Sequence, residues 1–355
     1  MARSSTGHSD PFDVERVCIA RLSCGATVEG LSPDWQRTFE IAIVERCAPL
    51  AWIRSAAAIR AAAPPDVSER WRSHALCATE HAHGQTAELA LLLETLARDG
   101  IAPVVLKGLP LSVMLYGDVA ARPVTDADLF VPTHLRAEAH RVLVRSGWRH
   151  RFGLAPGEAT YQSVKPALCP YVELHSSVLD ENLMSHLSVP SPEARLVDLG
   201  GTWAHAQQGA LLSVFLAAHL AKHASAPLLW WIDFTTLHDG LSDAERAEVA
   251  QLAVACHVDR YLDWAIDGVR LLRDALSGEQ ETAAAAMRQL RAKHERHNAA
   301  RVADLAYGIV DRIRVWTAWA WPRPLRSHPL TYVRSALRRG IIWLDRRLHA
   351  AEPLR

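Results

Sequence analysis

The chain has 355 residues, of which 49% are hydrophobic and 22% charged, and its formal net charge is zero. That length supports one large domain or two ordinary ones, each with a real core. The balance excludes a disordered chain and, with no bulk positive charge, gives no general attraction for polyanions.

Apolar residues recur at helical steps from Pro33 to Leu96, as in Phe39, Ile43, Leu50 and Ile53, and Pro64 and Pro65 divide the stretch. Its second half, Val67 to Arg98, presents Leu76, Leu89, Leu92, Leu93 and Leu96 and stops at Gly100, which suits a left-handed residue beyond a helix end. Pro103 to Leu106 then reads as a short buried strand ending at Lys107-Gly108, followed by a short helix from Leu111 to Tyr116. After a turn-rich stretch, Asp126 to Val131 reads as a second strand that Pro132 closes, and His134 to Ser146 as an amphipathic helix capped by Gly147. Strand-like pieces follow at Trp148 to Phe152, Tyr161 to Lys165 and Tyr171 to His175.

Beyond Pro190 the pattern is helical again, through Leu211 to His223, Leu228 to Leu237, Asp243 to His257, Arg260 to Leu276 and Glu279 to Ala300. A last helical pair runs from about Arg301 to Trp321 and from about Tyr332 to His349. The expected organisation is α+β and predominantly helical. An amino-terminal helical region (1–101) and a carboxy-terminal helical domain (191–355) flank an α/β core (102–190) built on a mixed sheet.

Asp126 and Asp128 stand two apart in a strand, so both carboxylates leave the same face. Alone, such a pair is more often a turn or strand-end cap than a metal site. The order of neighbours changes that balance. Ahead lies Lys107-Gly108 at a strand end before a helix, where glycine lets a phosphate approach the backbone, free N–H groups attract it and lysine adds a charge. Behind lies Val172-Glu173-Leu174-His175, which brings a third carboxylate on another strand. Three carboxylates from neighbouring strands suit divalent cations and the phosphates of a substrate.

The stretches Val105-Leu106-Lys107-Gly108, Leu115-Tyr116-Gly117, Arg122 to Val131, Gly147-Trp148 and Val172 to His175 together resemble the nucleotidyltransferase superfamily typified by DNA polymerase β. Within it they look like the bacterial group of uncharacterised nucleotidyltransferases. The likeness continues more weakly through His219 to His223 and Trp230 to Asp233, covering roughly Leu89 to Leu237. The resemblance implies a nucleotidyltransferase-type sheet core. It also implies transfer of a nucleoside monophosphate from a triphosphate such as ATP to an acceptor hydroxyl, with two magnesium ions (or manganese) and release of pyrophosphate. Asp126, Asp128 and Glu173 would be the metal-binding and catalytic residues, and Gly108 part of the phosphate loop. Where the superfamily has a serine after that glycine, this chain has Leu109-Pro110, so Lys107 or Arg122 is expected to take the phosphate contact. Glu158, in a Pro/Gly turn, is a weaker substitute for Glu173, and His175 is expected as a site neighbour.

Two other constellations compete. His219 and His223 lie four apart on one helical face with Asp233 beyond a turn, a set that would bind zinc in a hydrolase. No glutamate follows His219 as a metalloprotease requires, so a place in the cleft over the α/β core is favoured. The carboxy-terminal arginines and tryptophans, such as Arg314, Trp316, Trp319, Arg338 and Trp343, suit an acceptor or another partner but fit ordinary helices better. A non-catalytic module binding nucleotide or a partner through the same cleft is the main alternative to an enzyme. The expected acceptor is a protein, a peptide or a small molecule, with nucleic acid disfavoured by the neutral charge. Six scattered cysteines without a C-x-x-C pair and a polar amino terminus lead to an expected cytoplasmic location. No apolar run is long enough to cross a bilayer.

Overall fold

The computed structural model describes residues 13–152, 158–179, 189–223 and 226–297. The expected helices at about Arg301 to Trp321 and Tyr332 to His349, with their arginines and tryptophans, lie outside the described residues.

Four helices precede the sheet: α1 (Asp13–Cys24), α2 (Trp35–Val44), α3 (Ala48–Ala62) and α4 (Pro65–Arg98). The carboxylate of Asp34 caps α2 by accepting the N–H of Arg37, and α4 starts with proline, whose missing N–H costs nothing in a first turn. Helical periodicity placed the first helix after Pro33 and so missed α1. This helix has no clear apolar stripe because it is covered nearly all round: Val17, Cys18, Ile19, Ala20 and Leu22 are all fully buried.

The middle of the chain runs β1 (Val104–Val105), α5 (Leu109–Tyr116), β2 (Asp126–Phe130), α6 (Arg136–Arg145), β3 (Trp148–Phe152), β4 (Glu158–Ser163), β5 (Tyr171–His175), β6 (Ala194–Asp198) and β7 (Trp203–Gln207). These strands form one seven-stranded sheet in the order β3-β4-β5-β2-β1-β7-β6. It is mixed, as expected: β2 runs parallel to β5 and β1 parallel to β7, while the remaining pairs are antiparallel. The β6–β7 hairpin lies beyond Pro190, where only helix was expected. Its strands are five residues each with one β-branched residue between them, too short and too atypical to register as alternation. Asp198 makes the turn by accepting the N–H groups of Gly200 and Gly201.

The chain then returns to helix in α7 (Gly209–Lys222), α8 (Leu228–Asp239), α9 (Asp243–Ala255) and α10 (Asp259–Ser277), and residues 280–297 form α11. Ser242 and Glu245 make a reciprocal capping box at the start of α9. One apolar core joins α1 and α3 to α7, α8 and α10, so the helices before and after the sheet share a single interior. A second core fills the space between α4, α6 and one sheet face, with Leu129 and Leu174 pointing into it. Alternation along the strands therefore turns Asp126, Asp128, Glu173 and His175 to the opposite face. Among the described residues no helix is long and apolar enough to cross a membrane.

Candidate functional site

Parallel pairing sets Asp128 directly opposite Glu173, and Asp126 opposite Tyr171. One donor atom each from Asp128, Glu173 and His175 lies within 4.8 Å of the others. His175 Nε2 stands 3.3 Å from Asp128 Oδ1 and 3.9 Å from Glu173 Oε2. Lys107 reaches in from the end of β1, with its Nζ 2.9 Å from Asp128 Oδ2 and 3.6 Å from Asp126 Oδ2. An ammonium thus sits between the two aspartates.

Charge and burial act together here. Burial opposes ionisation of Asp128, but the Lys107 ammonium and the His175 contact outweigh it and hold the carboxyl well below its ordinary range. Burial raises the Asp126 carboxyl and repulsion from Asp128 adds to that, against the partial relief of Lys107. Lys107 itself loses water, yet Asp128 and Asp126 keep it firmly charged. The donor set fits a hard divalent cation: carboxylates gathered on one sheet face already draw a positive group, and the histidine nitrogen widens the choice from magnesium towards manganese.

Gly108 turns the chain from β1 into α5 with φ of 80°, a conformation that favours glycine, and a Cβ there would lie 3.6 Å from Val124 Cγ1. Its carbonyl accepts from Arg122 Nη1 at 3.2 Å. Arg122 is itself buried and donates through Nε to Asp233 Oδ2 at 2.8 Å, while the Tyr116 hydroxyl donates to Asp233 Oδ1 at 2.6 Å. Burial, reinforced by Asp233, pushes the Tyr116 hydroxyl well above its usual range, so it stays a donor. Arg122 therefore braces the glycine turn from behind and is committed to Asp233, which sequence reasoning had not paired with it. Asp118, four residues before it, accepts the N–H of Ala120.

The competing zinc set, disfavoured on sequence, has its members engaged with other partners. Asp233 is engaged by Arg122 and Tyr116, and the group whose donors converge among the described residues is Asp128, Glu173 and His175. His219 and His223 stack with Trp230 instead, their ring centres 4.4 Å apart and 4.6 and 5.0 Å from the indole. Burial, with the charge of Lys107, holds His219 well below the usual imidazole range and hence neutral. Glu158 opens β4 in register with His175.

Sequence reasoning missed the braces behind the site. Gln85 on α4 donates to the carbonyls of Val124, at 2.7 Å, and Leu168, at 3.0 Å, just ahead of β2 and β5. Glu88, one turn on, accepts the N–H groups of Leu168 and Cys169, both at 2.9 Å. Nothing local marks a helix glutamine or glutamate for this task. A pocket beside Lys107 and Asp126 is lined by Gln85, Leu89, Val105, Gly108, Leu109, Val124 and Cys169.

A family model described as "Uncharacterised nucleotidyltransferase" matches residues 32–274, which include every site residue named above. No curated protein matches. Among solved structures, an antigenic nucleotidyltransferase-like protein from Paracoccidioides brasiliensis is similar at 12% identity and a TM-score of 0.33, over 51% of this chain and 93% of that one.

Two outcomes follow for the metal-free protein. Asp233→Ala leaves the buried Arg122 guanidinium without its carboxylate and is expected to cost about 3–5 kcal/mol in urea unfolding; a loss within error of zero would show that Arg122 has another partner. Because the folded Asp128 carboxyl lies below its unfolded value, its contribution to stability is complete above about pH 4 and is lost as pH falls through the folded value. Asp126, shifted the other way, acts with opposite sign. The urea midpoint should therefore fall less between pH 6 and pH 3 in Asp128→Asn than in wild type, and identical slopes would contradict the assignment.

Proposed function

We propose that this chain, which belongs to the uncharacterised nucleotidyltransferase family, transfers a nucleoside monophosphate from a nucleoside triphosphate to an acceptor hydroxyl, releasing pyrophosphate. One observation carries the proposal: Asp128 and Glu173 face each other across parallel strands, with His175 and Asp126 on the same face and the Gly108 turn at its edge.

Asp128, Glu173 and His175 would hold a divalent cation, magnesium or manganese, and Asp126 would share it or hold a second. Bound there, such an ion supplies neutralisation of phosphate charge and a lowered pKa for a coordinated hydroxyl. The chain's own groups do the rest. Gly108 lets the outer phosphates approach the backbone at the start of α5, and Arg122 fixes that turn through the Gly108 carbonyl. Lys107 balances the carboxylates beside it. The acceptor oxygen forms its bond to the α-phosphorus as the bond to pyrophosphate breaks. Its proton passes to a carboxylate, with Glu173 and the raised Asp126 as the available bases. Positioning and fixed charge dominate such chemistry.

The acceptor class favoured is a protein, a peptide or a small molecule, since the zero net charge offers no bulk attraction for nucleic acid. The alternative, a non-catalytic nucleotide-binding module, is favoured by one contact: Lys107 bridges the aspartates where a metal would otherwise sit. Incubation of the protein with labelled nucleoside triphosphates, magnesium or manganese, and cell lysate separates the two. Transfer of label is expected, and Asp128→Asn is expected to lower it by at least about a hundredfold. Label carried at the wild-type rate by the variant would reject the assignment, and calorimetric binding without any transfer would favour the module.

A further inference from the structure

We propose that the acceptor is an acidic stretch of polypeptide, laid across the sheet with its hydroxyl at the carboxylates and an acidic side chain at Arg149. The inference rests on the nucleotidyl-transfer proposal above and names the acceptor of that same site. Strand register carries it. Asp126 pairs with Tyr171, Tyr171 with Gln162 and Gln162 with Arg149, so one row of residues crosses β2, β5, β4 and β3. Residues paired in this way share a face of the sheet. The next residues along the strands, Ala127, Val172, Tyr161 and Trp148, belong to the core on the side of α4 and α6, which leaves the row on the face of Asp128 and Glu173. At its β2 end the row meets the phosphate turn, for a Cβ on Gly108 would lie 3.9 Å from the Asp126 carbonyl oxygen.

Order along the row decides what binds where. In nucleotidyl transfer the attacking oxygen, the α-phosphorus and the leaving oxygen lie roughly in line. With the outer phosphates at Gly108 and the α-phosphate at the carboxylates, pyrophosphate departs towards the end of β1. The acceptor oxygen then arrives from the opposite side, over β5, β4 and β3. The row supplies a surface there: Tyr171 is 40% exposed, Gln162 is half-buried and Arg149 is exposed.

The character of that surface selects the acceptor. It runs out to β3, the edge strand of the sheet, whereas small molecules are usually held in concave, enclosing pockets. An exposed phenol ring beside an amide suits the mixed apolar and polar surface of a peptide. Among the described residues Arg149 takes part in no ion pair, so its planar fork of donors is available to a carboxylate. Arg149 stands three strand spacings from Asp126, about 14 Å at the backbone. An extended chain covers about 3.3 Å per residue, so with the reach of the arginine the acidic residue falls about three or four positions from the hydroxyl-bearing one.

Two pools of synthetic peptides test this, each with a central serine, threonine or tyrosine and with either glutamate or lysine about three and four residues away on both sides. Transfer of label from nucleoside triphosphates with magnesium is measured for wild type, Arg149→Ala and Arg149→Glu. Wild type is expected to favour the glutamate pool about fivefold or more, the upper range of an exposed ion pair, and less as salt rises. Arg149→Ala should abolish the preference and Arg149→Glu invert it, with melting temperatures close to wild type because the side chain is exposed. Equal rates on the two pools, or a preference that both variants keep, would overturn the acceptor assignment alone. Label that reaches nucleic acid, small molecules or proteins of a lysate but neither pool would do the same and leave the transfer proposal standing. Label that reaches nothing would overturn both together.

Discussion

A carboxylate taken out of water must be given a cation or donors, and the centre of this molecule is organised around that requirement at Asp128. Its side chain is 3% exposed and is met by Lys107 from one neighbouring strand end and His175 from the other neighbour. The strand order makes this arrangement available. With β2 between β1 and β5, one residue is flanked by an ammonium on one side and by Glu173 and His175 on the other. A one-residue slip of β2 against β5 would move Asp128 off Glu173 and turn one set of side chains to the wrong face.

Holding like charges together is costly, so register and loop geometry must be enforced from outside the site. Gln85 and Glu88 do so from α4, clamping the segments that lead into β2 and β5. On the other flank, Asp233 on α8 pairs with the buried Arg122, which in turn holds the Gly108 carbonyl. The segments leading into the site are thereby held by an amino-terminal helix and a carboxy-terminal helix. The helices before and after the sheet also share one apolar interior.

Much of this was legible in local pattern. Alternation put Asp126 and Asp128 on one strand face, and glycine beside a short buried strand marked the turn at Gly108. The strand-like setting of Glu173 led to a residue that the register places opposite Asp128. What escaped was either non-periodic or non-local. Helix α1 is buried nearly all round and carries no stripe. The β6–β7 hairpin is short and poor in β-branched residues, although it extends the sheet beyond β1 through the β1–β7 pairing. The Arg122–Asp233 pair joins residues 111 apart, and no local spacing announces such a partner. For the same reason the sequence leaves His219, His223 and Asp233 open as a competing, disfavoured metal set, while the donors that converge among the described residues are those of Asp128, Glu173 and His175.

The measurement that bears most directly on the account is anomalous diffraction from crystals of the protein soaked in manganese. Manganese strongly prefers oxygen ligands but accepts a histidine nitrogen, and it reports its own position. A peak in contact with the carboxylates of Asp128 and Glu173 is expected, lost in Asp128→Asn. A peak beside His219 and His223 instead, or none at the strand face at saturating manganese, would contradict a divalent cation site built on β2 and β5.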